Sequence, residues 1–248
     1  MALLELDRVS VAYGAVRAVD EVSLEVEQGE VLGLCGDNGA GKSSLIKVIA
    51  GARRPSAGRI SFAGRERRLD RPIEALEAGI VTIYQDLALA PRLAVWHNVF
   101  LGSELTRRSW LLGLRTLDRK SMRLETRSLL ERLGVAIADV DAEVQSLSGG
   151  QRQAVAIARA LRWQAKLLIM DEPTAALGVR ETEEVLALIR GLKHRGVTVI
   201  IISHDMRDVI DVADRVAILK KGRLAEHRPV QGLDAERLAQ LVLTARAA

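Results

Sequence analysis

A glycine-rich segment at residues 36–43, GDNGAGKS, is the feature that most constrains the fold of this chain. It matches the pattern G-x-x-x-x-G-K-[ST], which carries meaning when a strand precedes it and a helix follows it. The apolar run at residues 31–35 predicts that strand, and residues 42–50 predict the helix. Glycines let backbone N–H groups surround phosphate oxygens, and the helix N-terminus adds partial positive charge. The segment therefore predicts a phosphate-binding loop in an α/β fold.

The side chains of this loop indicate a nucleotide with a bound Mg²⁺ ion. Lys42 is predicted to reach the β- and γ-phosphates, and the Ser43 hydroxyl is predicted to be a ligand of Mg²⁺. The residues that we expect to bind the nucleotide here are Gly36, Asp37, Asn38, Gly39, Ala40, Gly41, Lys42, Ser43 and Ser44.

A second apolar strand ends in two carboxylates. Residues 167–172 read LLIMDE. Burying a charge is unfavourable unless it is paired or bound to a metal. Stability alone therefore does not explain two carboxylates at the end of an apolar strand. Asp171 is predicted to hold Mg²⁺, directly or through water. Glu172 is predicted to polarise the water that attacks the γ-phosphate.

The rest of the chain predicts an α/β fold with a mainly parallel sheet. Apolar strands such as residues 197–202 alternate with helical stripes, which is typical of parallel sheets with right-handed crossovers. Near the N-terminus, Val22, Leu24 and Val26 share one face at a period of two residues and predict an antiparallel β region.

Residues 86–162 differ from their surroundings because they carry helical stripes and no β-branched runs. We interpret them as a helical subdomain inserted into the core; the alternative is two more crossover helices, but the stretch is long for one crossover. The whole chain, residues 1–248, is then predicted to be a single nucleotide-binding domain. Its α/β core with the β region covers residues 1–85 and 163–248.

Composition narrows the class of protein further. Hydrophobic residues make up 48% and aromatic residues 3%, so the core must be aliphatic, and the single cysteine excludes an intramolecular disulfide. A net charge of +4 is too small to indicate nucleic acid, and the arginine pairs lack interleaved aromatics. No apolar run approaches the roughly 20 residues that span a bilayer. We expect a soluble chain that acts at a membrane only through a partner.

A third motif, LSGGQ at residues 147–151, opens the helical stripe that follows it. Its serine is suited to cap the helix, and two glycines stand where the helix N-terminus could approach a second anion. LSGGQ between a phosphate-loop lysine and an Asp-Glu strand end resembles the ATP-binding cassette family over nearly the whole chain. The resemblance implies that Ser148, Gly149, Gly150 and Gln151 act on a nucleotide held by a partner copy.

Other positions match the family one at a time. Tyr13 stands where the family stacks an aromatic ring on adenine, Gln85 where a glutamine contacts Mg²⁺ and the attacking water, and His204 where a histidine contacts the γ-phosphate. One position departs from the family pattern. Residues 175–178 read AALG instead of S-A-L-D, so Gly178 replaces an aspartate that helps to join the two nucleotide sites of a dimer.

The segments EPTAALGV at residues 172–179 and YQDLAL at residues 84–89 resemble the single-cassette ATPases of bacterial monosaccharide importers of the ribose, xylose and fructose type. This resemblance implies an ATP-hydrolysing subunit that uses ATP and Mg²⁺ and forms a homodimer of cassettes. It also implies integral-membrane permease subunits, an indirect extracellular or periplasmic sugar-binding protein, no nucleic acid, and a peripheral location at the cytoplasmic face of the inner membrane.

Two alternatives remain: a cassette ATPase outside transport, and a transporter subunit for a substrate other than a sugar. Repair-type cassettes need a long coiled coil before LSGGQ, whereas the span between residues 43 and 147 has no sustained heptads. Ribosomal types resemble two cassettes joined by a linker, and this chain carries one. A kinase or GTPase does not account for LSGGQ.

Overall fold

The computed structural model describes residues 1–108 and 115–245. Its strands are β1 (Ala2–Tyr13), β2 (Val16–Glu27), β3 (Val31–Cys35), β4 (Ala57–Phe62), β5 (Arg65–Glu66), β6 (Ile80–Ile83), β7 (Thr106–Arg108), β8 (Arg115–Leu117), β9 (Leu167–Asp171), β10 (Thr198–Ile202), β11 (Arg215–Lys220) and β12 (Arg223–Pro229). Its helices are α1 (Lys42–Ile49), α2 (Pro72–Ala78), α3 (Val95–Phe100), α4 (Arg119–Arg132), α5 (Gly149–Arg162), α6 (Val179–His194), α7 (Met206–Val212) and α8 (Ala235–Thr244). Residues 109–114 of the predicted segment 86–162, and residues 246–248, lie outside the described residues.

The predicted mainly parallel sheet is confirmed. Six strands lie in the order β12-β11-β3-β10-β9-β6, and the neighbours from β11 to β6 pair in parallel, while β12 pairs antiparallel with β11. Every residue of β10 is buried because both faces of the sheet are covered. The order β3-β10-β9-β6 places four strands side by side whose following loops carry the predicted site.

The predicted antiparallel β region is also confirmed. A separate sheet has the order β2-β1-β4-β5, with β2 and β4 both antiparallel to β1. The period-two stripe of Val22, Leu24 and Val26 is buried, as its alternation requires. The sheet packs its apolar face towards α1 and one face of the parallel sheet in a shared hydrophobic core.

The strand β10 contributes side chains to two separate hydrophobic cores. Ile200 and Ile202 join the core that contains α1 and the antiparallel sheet. Val199 and Ile201 join the opposite core, which contains the apolar faces of α3, α4, α5 and α6. Successive side chains of a strand point to opposite faces, so one strand contributes to both cores.

Helices dominate the described part of the segment 86–162. α3, α4 and α5 pack against one another, and α5 also packs against α6 and β6. The segment contains in addition a short hairpin, β7 with β8, which the prediction of a purely helical segment did not include. The residues of β8 are exposed, so the hairpin leaves no alternating apolar pattern in the sequence.

Within residues 1–108 and 115–245, the helices are all too short or too polar to cross a lipid bilayer.

A prediction for stability follows from the contact of β3 with α7. A Cβ atom on Gly33 would lie 2.5 Å from Cγ1 of Val209 and 3.2 Å from Cγ1 of Val216. Gly33→Ala should therefore lower the free energy of unfolding by about 1–3 kcal/mol through overpacking. Gly191→Ala is the matched control, because its Cβ would meet nothing closer than Arg195 Nη1 at 3.8 Å.

Gly191 lies within α6, where alanine is favoured over glycine by about 1 kcal/mol, so the control should gain stability. Urea unfolding of both variants measures the two changes. A Gly33→Ala protein as stable as the parent would contradict the described packing of β3.

Candidate functional site at the edge of the parallel sheet

The predicted chemical groups lie at one edge of the parallel sheet. β3, β10, β9 and β6 are adjacent, and they are followed by the phosphate loop, His204, Glu172 and Gln85 respectively. The carboxyl ends of parallel strands meet at the same edge, and ligands bind in the crevice outside them. Lys42 and His204 both lie close enough to Asp171 to lower the pKa of its carboxyl against the effect of burial. The structure therefore brings the predicted groups together.

Carbonyl oxygens from other parts of the backbone lie so close to the phosphate loop that two of its positions require glycine. Gly36 has a φ of +148° and Gly41 a φ of +107°. A Cβ atom at Gly36 would lie 2.4 Å from the carbonyl oxygen of Leu219, and one at Gly41 would lie 2.4 Å from that of Ala18. Gly41 is the N-cap of α1 and brings no side chain to the first N–H groups of that helix. These donors are left for an anion.

The protein's own groups hold the loop in shape. Nζ of Lys42 donates to the carbonyl oxygens of Gly36 at 2.5 Å and Asp37 at 3.1 Å. Lys220, at the end of β11, binds the Asp37 carboxylate at 2.6 Å and the carbonyl oxygen of Val242 in α8 at 3.1 Å. The sequence gives no local signal for Lys220, because it lies 183 residues from Asp37.

The two carboxylates at the end of β9 are half-buried and close to positive charge. Burial raises the pKa of Glu172, and the nearby His204 acts in the opposite direction. Nδ1 of His204 lies 2.6 Å from Oε1 of Glu172. Burial also raises the pKa of Asp171, and Lys42 opposes that shift. A carboxyl group with a raised pKa is a better proton acceptor in the ionised state, as a general base requires.

The backbone at Glu172 is strained. Its φ of +53° lies in the left-handed region, which a residue with a side chain adopts at a cost of roughly 1–3 kcal/mol. A hydrogen bond of 2.8 Å from its N–H to the carbonyl oxygen of Ile202 in β10 helps to hold this conformation. Glu172 and Gln85 line the same cavity.

The predicted Mg²⁺ ligands Ser43, Gln85 and Asp171 offer a hydroxyl, an amide oxygen and a carboxylate. This donor set fits Mg²⁺, which prefers oxygen and is usually held by one or two carboxylates together with substrate phosphates. In the described part of the chain, His, Cys, Asp and Glu side chains form no group of three or more that could hold a metal. Burial raises the pKa of Asp171, and a cation held by its carboxylate would act against that shift.

Tyr13 lies at the end of β1 with 40% of its surface exposed. The guanidinium of Arg53 stacks on its ring at 3.8 Å from the ring centre, and donates to the carbonyl oxygen of Ala12 at 2.6 Å. The hairpin that carries Tyr13 continues into Ala18, whose carbonyl oxygen abuts Gly41 of the phosphate loop. The hairpin that carries Tyr13 therefore contacts the loop, and Arg53 is a neighbour of Tyr13 that sequence reasoning did not identify.

The signature segment forms the N-terminus of α5, as predicted. Oγ of Ser148 accepts from the N–H of Gln151 at 3.2 Å, and Oε1 of Gln151 accepts from the N–H of Ser148 at 3.1 Å. This reciprocal pair is a capping box. Gly149 lines the cavity that Gln85 and Glu172 share, whereas Lys42 does not.

Comparison with known proteins agrees with this geometry. Residues 19–175 match the family model described as ABC transporter. The chain is 44% identical over 240 residues to the xylose/arabinose import ATP-binding protein XylG of Sulfolobus acidocaldarius, covering 97% of this chain and 93% of the relative. It is 47% identical over 214 residues to the fructose import ATP-binding protein FrcA of Rhizobium meliloti, covering 85% and 82%.

Some relatives are longer than this chain. The ribose import ATP-binding protein RbsA 1 of Burkholderia ambifaria is 43% identical over 242 residues, which is 97% of this chain and 46% of the relative. Among solved structures, a nucleotide-free ATP-binding cassette from an ABC transporter has a TM-score of 0.82 at 26% identity, covering 98% of this chain and 96% of that one. A dimeric bacterial ABC transporter cassette has a TM-score of 0.75 at 25% identity, covering 93% and 100%.

Fold and site define a P-loop ATPase of the cassette type. The chain belongs to the ABC transporter family.

A pH-dependent stability change is predicted from the raised pKa of Glu172. The carboxyl group of Glu172 binds its proton more tightly in the folded protein than in the unfolded chain, where its pKa has the ordinary value of 4.5. The stability that the protonated group contributes is therefore lost as the pH rises through the raised pKa. Glu172→Gln cannot ionise. It should be more stable than the parent at pH 8, with a gain that shrinks as the pH falls towards 4.5.

Thermal unfolding between these two pH values measures the difference. Glu66→Gln, on the exposed strand β5, is the matched control, because it makes the same substitution outside the site. A Glu172→Gln protein that is less stable than the parent at pH 8 would contradict the assigned environment.

Proposed function

We propose that this protein hydrolyses ATP to drive the import of a monosaccharide through membrane permease subunits. The observation that carries the proposal is the convergence of Lys42, Asp171, Glu172 and His204 at one sheet edge, beside an uncapped helix N-terminus. The curated relatives whose names specify xylose/arabinose, fructose and ribose import support the choice of a monosaccharide as cargo.

Each group takes one role in the proposed reaction. The phosphate loop binds the phosphates through backbone N–H groups, and Lys42 turns from its two carbonyl partners to the β- and γ-phosphates. Ser43, Gln85 and Asp171 would hold Mg²⁺, and that ion would supply positive charge to neutralise the charge that develops on the phosphates.

The remaining groups act at the reacting phosphate and the base. Glu172 accepts a proton from the attacking water, because its carboxylate has a raised proton affinity and directly follows the buried strand β9. His204, within contact of that carboxylate, stabilises charge at the γ-phosphate. Arg53 covers one face of the Tyr13 ring, and the adenine base stacks on the other face.

The proposed active unit is a head-to-tail dimer of two copies. In it, the segment Ser148, Gly149, Gly150 and Gln151 of one copy completes the site at Lys42 of the other, through the serine hydroxyl and the helix N–H groups that the protein's own side chains leave free. Residues 86–162 form the helical subdomain that carries this segment, and residues 1–85 and 163–248 form the remaining core. An extracellular or periplasmic binding protein delivers the sugar to the permease, and the cassettes dock on the cytoplasmic face of the membrane.

Glu172→Gln tests the catalytic part of the proposal. The variant should lose turnover by roughly 10²–10⁴-fold, the contribution of a general base, while it still binds Mg-ATP. The measurements are steady-state phosphate release and nucleotide binding at equilibrium. Sugar uptake into vesicles that contain the permease and this protein should fall in the same proportion.

Two further variants define the limits of this test. Lys42→Ala should lose ATP affinity, whereas Lys47→Ala, on the exposed side of α1, should keep it. Turnover in Glu172→Gln close to that of the parent would overturn the proposed base. ATP-dependent uptake of other solutes but no sugar would overturn only the cargo.

A further inference from the structure

The N-terminus of α5 is bound by a carboxylate from a different helix. Oε1 of Glu181, in the first turn of α6, accepts from the N–H of Gly149 at 2.7 Å. Its other oxygen accepts from the N–H of Gly178 at 3.3 Å. These two N–H groups lower the pKa of Glu181, which keeps the group ionised at neutral pH. One side chain thus joins the first N–H groups of two helices.

The glycines of the signature segment make this approach possible. A Cβ atom on Gly149 would lie 2.4 Å from Cδ2 of Leu177 and 3.1 Å from Oε2 of Glu181. A Cβ atom on Gly150 would lie 3.0 Å from Oε2 of Glu184. A larger residue at Gly149 would require the side chains of Leu177 and Glu181 to move. The contact of α6 with α5 therefore favours glycine at this position.

Glu181 also compensates for the residue at position 178. Gly178 is the N-cap of α6 and has no side chain with which to bind its own helix or α5. It ends the loop that begins at Glu172, so the bonds of Glu181 fix the far end of that loop to α5. The loop from the proposed base and the signature segment are joined at a single carboxylate.

We propose that Glu181 is a positioning residue that sets the orientation of the signature segment towards the partner's nucleotide. The inference rests on the proposed function, because it needs a dimer whose sites are shared. In this proposal Glu181 acts through its bonds to Gly149 and Gly178 and is not a ligand of the nucleotide.

A helix cap alone would stabilise α6 without changing assembly, so the test measures assembly. The parent for this experiment is Glu172→Gln, in which bound ATP is not consumed. Its Mg-ATP-dependent dimerisation is measured by sedimentation, and ATP binding by the monomer is measured separately at low protein concentration. Three second substitutions are compared: Glu181→Ala, Glu181→Gln and Glu181→Asp. Glu183→Ala, an exposed acid of the same helix, is the matched control.

Glu181→Ala should raise the dimer dissociation constant about tenfold or more, with monomer ATP affinity unchanged, since a charge-assisted bond is lost. Glu181→Gln keeps the length and one acceptor for Gly149, so it should fall between the parent and the alanine variant. Glu181→Asp keeps the charge but is one methylene too short, so it should resemble alanine. Glu183→Ala should resemble the parent. The comparison of glutamine with aspartate also holds if the alanine variant folds poorly.

The outcomes separate the two levels of the account. A parent that dimerises, with Glu181→Ala dimerising equally well, would overturn the role of Glu181 alone. Aspartate behaving as the parent and glutamine as alanine would also overturn it, because charge rather than reach would then matter. A parent that does not dimerise with Mg-ATP would overturn the shared site of the proposed function, and this inference with it.

Discussion

The N–H groups at the amino ends of α1 and α5, which have no partner within their own helix, are the constraint on which the site depends. Each helix end presents donors and partial positive charge that must meet an anion, a cap or water. α1 starts at Gly41, which has no side chain to offer, and its donors stay open for phosphate. α5 is bound instead by Ser148 and Glu181, so its end is fixed in place before any nucleotide arrives. The start of α1 is therefore open to a ligand, whereas the start of α5 is held by the protein's own side chains.

The parallel sheet supplies the negatively charged groups of the same site. Asp171 and Glu172 end a buried strand, where their pKa values are raised because burial disfavours charge. Lys42 and His204 offset part of this cost. A site that holds two poorly compensated carboxylates and a left-handed turn at Glu172 is locally unfavourable in the free protein. In the proposed function, a bound cation and nucleotide would relieve this charge.

The sequence predicts those parts of the molecule whose signal is local. The strand β3, the loop after it and α1 follow from adjacent residues, since strand, glycines and helix must be contiguous to bind phosphate. α2 and α7 give no such signal, because seven residues form only two turns and show no periodic stripe. Contacts between residues that are distant in the sequence likewise cannot be predicted from a local pattern. Glu181 lies 32 residues from Gly149, and Lys220 lies 183 residues from Asp37. Packing of α6 on α5 decides the first of these contacts, and the pairing of β11 with β3 decides the second.

The central claim is that the nucleotide site is completed by the signature segment of a second copy, and Ser148→Arg tests it most directly. The account predicts that this variant loses ATP hydrolysis while its monomer binds ATP as tightly as the parent, because Lys42 and the phosphate loop are untouched. Ser128→Arg, on the exposed face of α4, adds the same charge and should hydrolyse ATP normally. Normal hydrolysis by Ser148→Arg would contradict the account, because the site would then be complete within one chain.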